Sequence, residues 1–179
     1  MIPITVSGIP THEHIDLTAL NGDGFPPSYR EFISSAGWAR SFGLWLIYPP
    51  VLPGYADGLH GRSRHLTEHF RASYLDGKAE EFDWMIEPDC SWELADTLTV
   101  FGWSENGDAL LWDTSSRDKH GEHAVWESRG MNSLHLLGKS LGEALPLLRE
   151  RAAGLSGSGS TDETPSFDCE PLKPSLLAE

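Results

Sequence analysis

The chain has 179 residues and carries 13 basic against 27 acidic side chains, a formal net charge of −14. A surface of that sign repels phosphate backbones, which argues against nucleic acid as a partner, and attracts basic proteins. Two cysteines, Cys90 and Cys169, make neither a disulfide framework nor a Cys-x-x-Cys zinc site and fit a reducing cytoplasm. No apolar run approaches the roughly 20 residues of a membrane span, and MIPITVSGIPTHEH lacks the basic and apolar regions of a secretory signal.

In chain order, residues 1–24 read as loop-rich, with a short strand near Ile4–Val6 and a strand or helical turn in HIDLTAL. FPPSYREFISSAG reads as a helix: Pro26 and Pro27 suit its first turn, Tyr29, Phe32 and Ile33 fall at i, i+3 and i+4, and Gly37 is a natural stop. SFGLWLIYPP, residues 41–50, reads as one central strand, apolar on both faces and ended by Pro49 and Pro50. Leu59 to Leu75 reads as a helix with Leu66, Phe70 and Tyr74 facing inward and Asp76-Gly77 closing it. AEEFDWMIEP is a second short helix or helical turn. TLTVFGW alternates like a half-buried strand, Asn106-Gly107 signals a hairpin, and ALLWDTS is its partner. HAVWES and LHLL are further strands. Ser140 and Glu143 form a capping box for a last helix whose Leu141, Leu145 and Leu148 bury one face, with Pro146 inside it. This order predicts an α+β domain over residues 1–153, a mainly antiparallel sheet flanked by helices. Residues 154–179 read as a flexible, acidic, Gly/Ser/Pro-rich tail.

Two separated stretches resemble the SUKH superfamily. FPPSYREF, with Phe25, Pro26, Tyr29 and Phe32, is similar to that family's N-terminal signature. FGWSENGDALLWDTS resembles its central hairpin, with Gly107 and Asp108 in the turn and Trp112 and Asp113 at the end of the second strand. HAVWES and SLGEALPLLRE stand where the family has its next strand and its closing helix. The resemblance spans residues 20–152 and departs after the first helix, where Ala36-Gly37-Trp38 replaces the usual Asn-Gly; residues 55–96 do not align. It implies a curved sheet with flanking helices, no catalytic centre and no cofactor. It also implies a binding role: bacterial members are typically immunity proteins that neutralise toxins of polymorphic toxin systems, and fungal relatives are interaction proteins in cell-wall regulation.

The charge distribution suggests where a partner would bind. From Ala79 to Ser116 there is no Lys or Arg, and the window holds ten carboxylates. Glu80, Glu81, Asp83, Asp89, Glu93, Asp96 and Glu105, with Trp84 and Trp92 among them, form the candidate partner-binding set; Trp103 lies in the same window. Carboxylates around aromatic anchors can mimic phosphates and steer a basic, nuclease-like toxin domain onto the surface. Against this, large aromatics at strand and helix spacing usually pack inward.

One motif points elsewhere. HLTEHF sets His65 and His69 one helical turn apart with Glu68 between them, the pattern of a zinc hydrolase. Leu66 and Phe70 alternate with the histidines, however, and no third ligand stands out, Glu143 and Glu150 included. No metal site is expected. His12 and His14 form a second, loop-borne pair. The expectation is therefore a non-catalytic binding protein. The alternatives are a SUKH-type scaffold for a non-toxin partner and, third, the zinc hydrolase.

Overall fold

The computed structural model describes residues 4–12, 15, 20, 24–52, 57–87, 90–156 and 167–172. Asp89, His14 and most of HIDLTAL lie outside them, as do 157–166 and 173–179.

Helix α1 (Pro27–Ala36) begins at the two prolines. Its exposed N–H groups are met from far along the chain: Glu122 accepts from the Ser28 N–H at 2.8 Å and from the Ser28 hydroxyl at 2.6 Å. Tyr29, Phe32 and Ile33 are buried, as their spacing predicts. Gly37 ends the helix at φ 65°, donating to the Ile33 carbonyl, and a Cβ there would lie 2.2 Å from the Thr11 oxygen. Only glycine fits that position.

Among the described residues seven strands follow: β1 (Ala39–Ser41), β2 (Trp45–Ile47), β3 (Leu98–Ser104), β4 (Ala109–Asp113), β5 (Ala124–Arg129), β6 (Ser133–Gly138) and β7 (Cys169–Pro171). They make one open antiparallel sheet in the order β6-β5-β4-β3-β2-β1-β7. With helices packed on it, this is the α+β fold expected.

Three segments differ from the sequence reading. Residues 41–50 are not one strand: Phe42 and Gly43 take φ of 53° and 69°, Leu44 donates to the Ser41 carbonyl, and the chain doubles back as the β1–β2 hairpin. The central strand is β3. The helix predicted to close at Asp76-Gly77 starts from a π-helical turn at Leu59–Ser63 and continues as α2 (Arg64–Ala79) past the glycine. The tail is in part structured: α4 (Leu141–Ser156) runs into it, and Cys169–Pro171 pairs with β1. Cys169 is buried there, which pushes its thiol up to about 11.

The pleat sends alternate side chains to opposite faces. One face carries Phe101 and Trp112, stacked at 4.3 Å and 8°, with Tyr29 of α1 set edge-on to Trp112 at 4.9 Å. The Tyr29 hydroxyl donates to the Tyr48 carbonyl at 2.6 Å, and burial pushes its pKa well up. Helix α4 shares this face. Its Arg151 reaches Asp108 at 3.1 Å and the fully buried Glu127, which Arg129 also holds at 2.8 Å. The opposite face is covered by α2. Leu66, Phe70 and Tyr74 are buried, Thr67 accepts from the Val100 N–H, and the Tyr74 hydroxyl meets that of Ser128 at 3.1 Å.

The capping box at α4 is only half made. Ser140 Oγ accepts from the Glu143 N–H at 3.3 Å, but Glu143 turns back to the Lys139 N–H, at 2.9 Å, instead of that of Ser140.

Candidate functional site

Helix α2 ends in a turn that carries most of the candidate residues. Glu81 N–H donates to the Lys78 carbonyl at 3.2 Å and Phe82 N–H to the Gly77 carbonyl at 2.9 Å, with Glu81 at φ 58°. This paired closure usually places glycine in the left-handed position; here a glutamate occupies it. A single helical turn, Asp83–Met85, follows. It is fixed by the Met85 N–H to the Phe82 carbonyl, 3.0 Å, and the Ile86 N–H to the Asp83 carbonyl, 3.1 Å.

Met85 and Ile86 anchor the turn in the core, at 4% and 9% exposure. Gly77 allows this: a Cβ there would lie 2.3 Å from the Met85 sulfur. The glycine that the sequence marks as a helix stop is thus a position of close approach, where α2 meets the turn. Phe82 and Trp84 point the other way. They stack on one another at 4.4 Å and 26°, and stay 38% and 53% exposed. Around them Glu80, Glu81, Asp83 and Glu87 are all exposed.

Helix α3 (Trp92–Thr97) packs alongside. Trp92 Nε1 donates to Asp83 at 3.2 Å, and its ring lies edge-on to Tyr74 at 6.4 Å. Glu93 and Asp96 are exposed on this helix. The Glu93 carboxyl is held below its ordinary value, first by its own backbone N–H, then by Ser91, with Lys78 adding to the effect. Lys78 is thus a base set beside the acidic surface.

The structure therefore brings together Glu80, Glu81, Asp83, Trp84, Trp92 and, on the adjoining helix, Glu93 and Asp96. Glu105 does not belong with them. It sits at the β3–β4 turn, paired at 2.7 Å with Arg40 of β1, toward the opposite edge of the sheet from β6. Trp103 on β3 is half-buried. Asp89 is outside the described residues. Phe82 and Glu87 also belong to the surface, beyond the candidate set; the signal for Phe82 in the sequence is its place between Glu81 and Asp83.

The other motif residues hold the fold. Phe25 packs on Tyr29 and Trp112 with ring centres at 5.4 and 6.4 Å, and Pro26 and Phe32 are buried. Gly107 has φ 88° at the hairpin turn. In that turn it is Ser104 Oγ that accepts from the Asn106 and Asp108 N–H groups, at 3.2 and 2.9 Å. The Asp108 carboxylate instead crosses to the Gly130 N–H, 2.9 Å, and Arg151. Asp113 accepts from Thr97 and Ser115 at the other end of β4. Both carboxylates are thus committed to the scaffold.

His65, Glu68 and His69 lie exposed on the solvent side of α2, while Leu66 and Phe70, each following one of the histidines, are buried. Among the described residues no three His, Cys, Asp or Glu side chains are grouped to hold a metal ion, and no helix is long and apolar enough to cross a membrane.

Comparison with family models, curated proteins and solved structures finds no match to this chain.

Proposed function

We propose that this chain is a non-catalytic, cytoplasmic protein-binding protein of the SUKH immunity type. It neutralises a basic toxin domain by covering it with the acidic surface at the end of α2. The observation that carries this reading is the turn at 80–87. Its backbone is tied down, Met85 and Ile86 hold it to the core, and yet it presents a stacked Phe82–Trp84 pair among four exposed carboxylates. Exposing large aromatics costs free energy, and a rigid aromatic pair rimmed by one sign of charge has the composition of a binding hot spot. The carboxylates speed encounter with a basic partner and set its orientation, while the rings supply apolar area that water leaves on docking.

The FPPSYREF and NGDALLWD stretches, lying in α1 and in the β3–β4 hairpin of an antiparallel sheet with helices on both faces, support the SUKH part of the reading. A nuclease is the toxin class best suited to such a face, because a cleft that binds phosphates is itself basic. The test is co-expression with a toxin domain encoded beside this chain. The native protein restores growth; a variant carrying Glu80→Lys, Glu81→Lys, Asp83→Lys, Glu93→Lys and Asp96→Lys, folded by circular dichroism, does not. Full protection by that variant would remove the acidic surface from the mechanism.

A further inference from the structure

The two edges of the sheet are treated differently. On the β7 side the chain covers its own edge. Val6 bridges Cys169 in parallel, Ser7 N–H donates to the Cys169 carbonyl at 2.9 Å, and the Asp168 and Cys169 N–H groups donate to the Thr5 carbonyl at 2.9 and 3.0 Å. On the other side, β6 ends the sheet, and no described strand pairs with its outer edge. Sheet proteins blunt such edges with lysine, proline or inward-pointing charge. Strand β6 reads SLHLLG: in a chain with 40 charged residues it has none, and no proline. Its one irregularity is the register shift opposite Val125 and Trp126.

The edge also adjoins the acidic surface. Leu136 pairs across the strands with Trp126, on the face covered by α2, and is 51% exposed. The Asp83–Met85 turn packs against β6 from that same face. Leu136 is thus an exposed apolar side chain on the strand against which the turn carrying Trp84 packs, that turn standing among the exposed Glu80, Glu81, Asp83 and Glu87, and among the described residues no strand pairs with the outer edge of β6.

From this we propose that the partner docks by adding an extended, basic strand to β6. This rests on the acidic-surface reading above and states the form that the partner takes there. Main-chain hydrogen bonds to β6 hold the strand, and alternate side chains on the α2 face meet the turn. Those positions carry arginine or lysine: the aliphatic stem lies over Leu136 and the Trp84 ring, and the cationic head reaches the carboxylates. Charge complementarity selects a basic foreign strand over a second copy of this chain, whose like charge of −14 opposes self-pairing.

The experiment uses the full chain, isotopically labelled, and two short probe peptides. One alternates arginine and valine. Its twin has the same sequence with backbone N-methylation at alternate residues, so it keeps the charge and loses the hydrogen bonds of one edge. The expected result is that the first peptide slows hydrogen exchange across Ser133–Gly138 and binds about tenfold more tightly than its twin, the equivalent of one or two main-chain hydrogen bonds. Glu80→Lys with Asp83→Lys weakens both peptides together. Equal binding of the twins with β6 unprotected overturns strand addition and leaves the acidic-surface reading standing. Binding of neither overturns both. Protection of β6 in the peptide-free chain, rising with its concentration into a dimer, overturns the foreign strand in favour of a second copy.

Discussion

Replacing Glu81 by glycine separates folding from function at a single residue. Glu81 holds φ 58° in the closure of α2, where its N–H and that of Phe82 satisfy the Lys78 and Gly77 carbonyls. A side chain with a Cβ costs about 1–2 kcal/mol in this left-handed conformation. Glycine removes that cost but loses about 0.4–1 kcal/mol through the greater freedom of the unfolded chain. The net expectation is a gain of about 1 kcal/mol, or a Tm higher by about 2–4 °C for a domain of this size. The same substitution deletes a carboxylate beside the Phe82–Trp84 pair, so binding to a basic partner weakens and its salt dependence becomes shallower. Urea unfolding and a binding titration on one preparation read both effects, and Glu81→Gln isolates the loss of charge with the strain retained. A Glu81→Gly protein that is less stable refutes the strain argument. One that binds as tightly as native refutes the role given to the carboxylate.

Gly77→Ala gains about 1 kcal/mol of helix propensity but drives a Cβ to 2.3 Å from the Met85 sulfur. Overpacking costs about 1–3 kcal/mol, so the variant should be less stable in urea, with Trp84 emission altered as the turn shifts; a gain in stability would mean that Met85 moves without cost. Arg151→Met leaves the buried Asp108 with the Gly130 N–H but no cation and leaves Glu127 to Arg129 alone, and should cost about 3 kcal/mol in urea unfolding; a loss below about 1 kcal/mol would show the network to be replaceable. His123 is held below its ordinary value of 6.5, chiefly by burial and then by the Arg117 guanidinium. The native state therefore takes up fewer protons than the unfolded one as pH falls below 6.5, and the stability that this residue contributes above that pH is lost as pH falls through its depressed value. His123→Asn should flatten the stability profile over that window; an unchanged profile would assign the acid sensitivity elsewhere.

The antiparallel core was legible because its signals are local. The alternation in TLTVFGW, the Asn106-Gly107 turn and the apolar runs on either side place β3, β4 and β5 within a residue or two of their observed limits. What failed was non-local or conformational. Phe42 is a bulky apolar residue at positive φ, so SFGLWLI reads as one strand although its middle is a turn. Strand β7 is three residues long and its partners are β1 and residues 5–7, so nothing in its own sequence marks it. Gly77 carries the same letter whether it ends a helix or admits a neighbouring methionine.

The candidate site shows the same division. The run of carboxylates after Ala79 is visible in the sequence, but which of its residues face one surface is not. Glu105 is exposed like Glu81, but Arg40 is folded against it. Trp84 and Trp92 sit in similar acidic surroundings along the chain. Only the packing of Met85 and Ile86 decides that the first ring turns outward while the second rests against Tyr74.

The central claim is that the 80–87 surface binds a basic protein. It is tested most directly by titrating a toxin domain encoded beside this chain with native protein and with a Glu80→Lys, Glu81→Lys, Asp83→Lys variant, at about 0.05 M and about 0.5 M salt, where exposed charges go from weakly to strongly screened. The account predicts tight binding of native protein at low salt, marked weakening at high salt, and little binding of the variant at either. Equal, salt-insensitive affinity for the two proteins would contradict it.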